Sequence, residues 1–158
     1  MRLRMLAWGA VLGLLVALFI PMATLAQADT TTTHFSGTDS FPDVNPCTGV
    51  PGTLTETFKG VIHTTALPDG SSHFTITVTS SITFVPDDPS QPTYTGKTTF
   101  WAGDNLNRQN NFNTTVTSHF VVKGTDGSRI AGTFVAHVTL QPDGTATVEF
   151  EKERLSCP

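Results

Sequence analysis

Residues 53–85 read TLTETFKGVIHTTALPDGSSHFTITVTSSITFV, two long Thr-rich runs joined by Pro68-Asp69-Gly70. The same x-Asp-Gly pattern recurs at 125–127 and at 142–144, again between runs rich in β-branched and aromatic residues. A three-residue hairpin loop is typically a type I turn followed by a residue in the left-handed region, which glycine adopts without strain. The sequence therefore predicts three antiparallel hairpins, each with a fixed register.

The remaining strands follow from composition. We expect seven strands at 31–40, 53–66, 72–85, 93–101, 111–123, 129–141 and 145–155. The connection at 86–92 contains three prolines and cannot be a strand, and 103–110 is predicted to be a polar loop. No stretch of the predicted mature chain has a convincing helical period, so the sequence indicates an all-β protein.

The turns also predict which residues face each other. If the residues that flank each turn are paired, Ile62 faces Ile76, Phe120 covers Gly132, and Val138 faces Val148. All three registers place even-numbered residues on one face, and that face collects most of the large apolar side chains. The other face is mostly Thr, Ser, His and Glu, and we expect it to include Glu149, Glu151 and Glu153. One apolar and one polar face is the antiparallel pattern.

A meander with one apolar face must cover that face. Closing into a small barrel covers it and also removes the strand edges. We therefore expect an antiparallel meander of about seven to eight long strands closed into a barrel, with a β-sandwich as the alternative. Seven strands would leave the first and last parallel to each other, so how the first strand closes the sheet is left open.

The N-terminus is typical of a secretory signal peptide. Arg2 and Arg4 precede an uncharged apolar run at 6–20, and Ala26-Gln27-Ala28 has the small-x-small cleavage pattern. We expect residues 1–28 to be removed and 29–158 to form one secreted domain with no membrane span. The chain has a net charge of −4, which argues against nucleic acid as a partner.

Two cysteines lie near the two ends of the predicted mature domain. A secreted protein with Cys47 and Cys157 is expected to join them in a disulfide. The predicted hairpins bring the start of the second strand and the end of the last strand to the same end of the sheet. The meander itself therefore favours this pairing.

Two short segments carry a resemblance. The segment NPCTG at 45–49, the segment GVIH at 60–63 and a last strand ending at Cys157 resemble small secreted bacterial β proteins of unknown function from actinomycete-like genomes. The resemblance implies no activity, cofactor or catalytic residue. The expected barrel is also similar in outline to lipocalin and allene-oxide-cyclase barrels, although the lipocalin Gly-x-Trp signature is absent near the first strand.

Three charged residues interrupt the predicted apolar face: Glu56, Lys152 and Arg154. They are candidates for the polar anchor of a ligand inside the barrel, and the alternative is an ion pair at its mouth. Five aromatic residues of the same face could line a cavity or simply fill the core. These residues are Tyr94, Phe100, Phe112, Phe120 and Phe134.

The four odd-numbered histidines, His63, His73, His119 and His137, fall on the polar face. His63 and His73 would be diagonal neighbours, and His137 would stand opposite Glu149. The register does not bring three ligands together, so we expect no metal site and no other cofactor. No nucleophile elbow, phosphate-binding glycine loop or other catalytic constellation is found.

Three functions remain open from the sequence. The first is a secreted binding module that holds a small apolar ligand on its Phe-rich inner face. The second is a non-enzymatic structural or interaction protein that uses its Thr-rich outer face. The third is a barrel isomerase or cyclase, for which Glu56 is the one inward acid or base. Ligand identity and oligomeric state cannot be inferred.

Overall fold

The computed structural model of the protein describes residues 27–158. The predicted signal peptide lies outside these residues except for its last two positions. Seven strands form one antiparallel sheet whose strand order follows the chain, which confirms the all-β meander. The strands are β1 (Asp29–Val44), β2 (Pro51–Ala66), β3 (Ser72–Pro86), β4 (Tyr94–Leu106), β5 (Phe112–Gly124), β6 (Arg129–Leu140) and β7 (Ala146–Ser156).

The three predicted hairpin turns are confirmed. Gly70, Gly127 and Gly144 have φ angles of 85°, 87° and 84°, in the left-handed region that favours glycine. The predicted flanking residues are hydrogen-bonded, as in the bond of 2.9 Å from the Leu67 N–H to the Ser71 carbonyl. The registers of β2 with β3 and of β5 with β6 are those predicted from the turns.

A fourth tight turn replaces the predicted polar loop at 103–110. Strand β4 continues to Leu106, and the Asn107 N–H donates to the Asn111 carbonyl at 3.0 Å. Asn110 has a φ of 59° and takes the position that glycine holds in the other three turns. Asparagine tolerates this conformation better than most residues, so the turn lacks the glycine that marks the others in the sequence.

The predicted register of the last hairpin is wrong beyond the pair of Leu140 and Ala146. Leu140 lies opposite Ala146, but Thr139 lies opposite Val148, so Thr147 is an extra residue in β7. Such a β-bulge shifts the pairing by one residue and exchanges the two faces of the strand. Val138 therefore faces Glu149 instead of Val148, and His137 faces Phe150 instead of Glu149.

The position in which the bulge places Phe150 leads to a testable prediction. Its side chain lies on the outer side of the sheet and is 49% exposed, so Phe150→Ala is expected to lower the free energy of unfolding by no more than about 1 kcal/mol. The register without the bulge would bury Phe150 and make the loss about 3–5 kcal/mol. Urea unfolding of the two proteins measures the difference, and a loss in the larger range would contradict the bulge.

Within residues 27–158, the sheet is open along its two outer strands. Strand β1 pairs with β2, β7 pairs with β6, and β1 and β7 are the two ends of the strand order. The predicted disulfide is present and joins Cys47, in the connection between β1 and β2, to Cys157 after β7. The bond therefore connects the β1 edge of the sheet to the β7 edge at one end, although these two strands are not paired with each other.

Directly paired residues share a face of the sheet, so the register defines an inner and an outer face. The inner face carries the even positions of β2 to β6, the odd positions of β1 and, beyond the bulge, the odd positions of β7. A small core lies on this face at the disulfide end and consists of Phe84, Tyr94, Val122 and Ile130. Most other apolar residues of the inner face are only half-buried.

Aspartates organise the glycine-containing turns. Asp69 accepts hydrogen bonds from the Ser71 hydroxyl at 2.6 Å and the Ser71 N–H at 3.0 Å, and Asp126 is held in the same way by Ser128. These bonds hold the pKa of each carboxyl below its ordinary value, the serine hydroxyl having the larger effect. The Thr145 N–H lowers the pKa of Asp143 similarly.

A carboxyl group whose pKa is lower in the folded state than in the unfolded state stabilises the fold at pH values above its unfolded-state pKa. This stabilisation is lost as the pH falls through the folded-state pKa. We therefore expect the free energy of unfolding to decline as the pH falls below about 4. A variant with Asp69→Asn, Asp126→Asn and Asp143→Asn should decline less steeply, because its amides accept the same bonds without titrating. Urea unfolding across this pH range tests the prediction, and equal slopes would contradict it.

Candidate functional site

A cavity with a mainly apolar wall lies on the inner face at the disulfide end. Its volume is about 460 Å³, within the range of small-molecule sites, which is roughly 300–1,000 Å³. Residues of six strands, β1 to β6, contribute to its wall, so the sheet curls around it. The apolar residues that β2, β3, β5 and β6 contribute to the wall are Leu54, Ile82, Phe84, Phe120, Val122 and Ile130.

The connection between β1 and β2 covers part of this cavity. Asn45 is buried, and its Oδ1 accepts hydrogen bonds from the N–H groups of Cys47 at 2.9 Å and Thr48 at 3.3 Å. Asn45 and Pro46 line the cavity, and Cys47 packs against the core. The NPCTG segment therefore forms a folded cap that the disulfide fastens to the end of β7.

Polar groups occupy a few positions on the cavity wall. Glu56 is half-buried between the apolar positions of Leu54 and Phe58 on the inner face of β2. Thr98 and Tyr94 face the cavity from β4, and the Tyr94 hydroxyl lies 3.0 Å from the Ser128 hydroxyl. A mainly apolar wall with a few polar groups can hold an apolar molecule and orient one polar end of it.

The predicted site residues on β2 to β6 form two groups in the structure. Glu56, Tyr94 and Phe120 line the cavity. Phe100, Phe112 and Phe134 lie on the inner face farther along the sheet, outside the cavity wall.

The predicted inward position of Lys152 and Arg154 is wrong. The β7 bulge places them opposite Val135 and Thr133, on the outer face. Conversely, it turns Glu149, Glu151 and Glu153 to the inner face, although the sequence predicted them outside. The two basic residues therefore cannot anchor a ligand in the cavity.

Several site features have little signature in the sequence. Asp43, Val44, Asn45 and Pro46 line the cavity from the segment between the first two predicted strands, to which the sequence analysis assigned no site residue. The one available signal was Asn45, because asparagine hydrogen-bonds nearby backbone groups in turns. The side of the sheet on which this connection folds could not be inferred.

The histidines of β2 to β6 lie on the outer face, as predicted, and several join polar side-chain pairs. His63 contacts Thr32 at 2.9 Å, and His137 contacts Thr115 at 2.7 Å. His73 bonds to Asn105. Among residues 27–158, no three His, Cys, Asp or Glu side chains are grouped closely enough to hold a metal ion.

Comparison of the chain with protein-family models, with curated proteins and with solved structures returns no match. The described part of the chain contains no α-helix that could serve as a membrane span.

Proposed function

We propose that the protein is a secreted binding protein that holds a small apolar ligand in the cavity at the disulfide end of its inner face. The observation that carries the proposal is the cavity of about 460 Å³, which has a mainly apolar wall and a half-buried carboxylate, Glu56. The intramolecular disulfide supports an extracellular location, because such bonds persist in oxidising compartments.

The cavity has the two parts that a ligand site needs. Phe84, Phe120 and Ile130 offer apolar surface from three different strands, and an apolar ligand gains roughly 25 cal/mol for each Å² it removes from water. Glu56 and Thr98 offer hydrogen-bonding groups that would fix its orientation. Among the described residues that form the cavity wall there is no serine, cysteine or lysine, so the wall supports binding better than covalent chemistry.

A matched pair of substitutions tests the proposal with the fluorescent probe N-phenyl-1-naphthylamine. Thr98 lines the cavity from the inner face of β4, whereas Thr99 is exposed on the outer face of the same strand. Thr98→Phe is expected to fill part of the cavity and weaken binding of the probe at least about tenfold, a change of about 1.4 kcal/mol. Thr99→Phe adds the same side chain outside and is expected to leave binding unchanged.

Fluorescence titration of the wild type and both variants gives the three affinities, and thermal unfolding checks that each variant is folded. Equal binding of the probe by the two variants would show that the probe binds outside the cavity. Absence of binding to the wild type would contradict the proposed function.

A second candidate rests on the open edge of the sheet. Strand β1 has sixteen residues and, in the part of the chain that the structure describes, pairs on one side only. Its first half contains no lysine or proline, the residues that commonly protect an edge against pairing with another chain. An interaction protein that adds a partner strand to β1 would use this edge, and self-assembly there would give a native mass that is a multiple of the chain mass.

A further inference from the structure

Charged residues of the strands are divided completely between the two faces. Eight carboxylates lie on the inner face, those of Asp29, Asp39, Asp43, Glu56, Asp104, Glu149, Glu151 and Glu153. Six basic residues lie on the outer face, namely Lys59, Lys97, Lys123, Arg129, Lys152 and Arg154. The inner face of the described strands therefore carries negative charge with no lysine or arginine to offset it.

Two of these carboxylates, Asp43 and Glu56, line the cavity. Asp39 is exposed outside the cavity wall and lies directly opposite Glu56 on β1. Like charges opposite each other on neighbouring strands repel, and a half-buried carboxylate without a cation is poorly stabilised. A cation between the two strands would relieve both effects.

A hydroxyl that has no hydrogen-bond partner among the described residues lies near Glu56. Ser80 is a diagonal neighbour of Glu56 on the inner face and is directly opposite Thr98, which lines the cavity. Its side chain is 6% exposed, and its Oγ has no hydrogen-bond partner. An ammonium group has three donors, and the carboxylates of Glu56 and Asp39 and the Ser80 hydroxyl offer it acceptors on the same face of the sheet.

Resting on the binding function above, we propose that the ligand is a cationic amphiphile, a small molecule with an apolar body and an amine or ammonium head. The body lies against Phe84, Phe120 and Ile130, and the head lies between Glu56 and Asp39. The aromatic rings of the wall also favour a cation, because the face of a ring attracts positive charge. The negative inner face disfavours fatty acids and other anionic amphiphiles.

Competition by three compounds with one alkyl chain tests the ligand class. Decylamine, decanol and decanoate are compared at neutral pH for displacement of N-phenyl-1-naphthylamine. Decylamine is expected to bind at least about tenfold more tightly than decanol, as a charged hydrogen bond would give, with decanoate the weakest. The preference for decylamine is also expected to shrink as salt is added.

Matched variants assign the preference to Glu56. Glu56→Gln is expected to bring the affinity for decylamine close to the affinity for decanol, both measured on the same variant. Asp87→Asn removes the same charge from the exposed connection between β3 and β4 and is expected to change nothing. Equal binding of the three compounds, or a preference for decanoate, would overturn the ligand class while leaving the binding function intact. Failure of the wild type to bind the probe at all would overturn the binding function itself.

Discussion

Replacement of both Cys47 and Cys157 by alanine is expected to lower the free energy of unfolding by up to about 4–5 kcal/mol. The bond joins residues 110 positions apart, so it closes most of the described chain into one loop. Without the bond the unfolded chain has more conformational entropy, which favours unfolding. This entropy difference increases with the length of the loop that the bond closes. This is the largest effect on stability that we expect from any single feature of the protein.

The folded state should also change, because strand pairing does not join β1 to β7. Cys47 packs against the core and lies in the cap, so loss of the bond releases the cap from the end of β7. Urea unfolding of the double variant measures the stability, and addition of reductant to the wild type provides the control. A loss below about 1 kcal/mol would contradict the assigned role of the bond.

Shortening Ile130 is expected to have the second largest effect. Its side chain is 1% exposed and packs with Phe84, Tyr94 and Val122 in the small core beside the cavity. Ile130→Ala removes buried methyl and methylene groups and leaves space that the sheet cannot close, so a loss of about 2–5 kcal/mol is expected. Because the core is small, few other contacts can compensate for this change.

Val85→Ala provides the control for Ile130→Ala. Val85 is 50% exposed, and its truncation is expected to lower the free energy of unfolding by less than about 1 kcal/mol. Both variants can be compared with the wild type by urea unfolding. Similar losses at the two positions would show that the stabilising core lies elsewhere in the molecule.

The turns explain why much of the fold is predictable from the sequence. Asp-Gly at the end of a three-residue loop fixes both the conformation and the flanking pair, and the register of β2 with β3 follows. Alternation of apolar and polar residues then identifies the inner face for five of the strands. Local chemistry that acts over a few residues is therefore readable without a structure.

The β7 bulge and the path of the cap could not be predicted. Ala146-Thr147-Val148 contains no glycine or proline to mark an irregularity, and the turn before it is regular. The consequence is large, since one extra residue exchanges the faces of Lys152 and Glu151 and so changes the candidate anchors of the ligand. Whether the sheet closes is likewise decided by contacts between distant strands, which no local pattern records.

The most direct test of the binding function is the mass of the protein purified from its own host, measured under native and then denaturing conditions. We predict additional mass in the native spectrum that is lost on denaturation and is absent from the Thr98→Phe variant. A native mass equal to that of the bare chain, or to a multiple of it, would contradict the account.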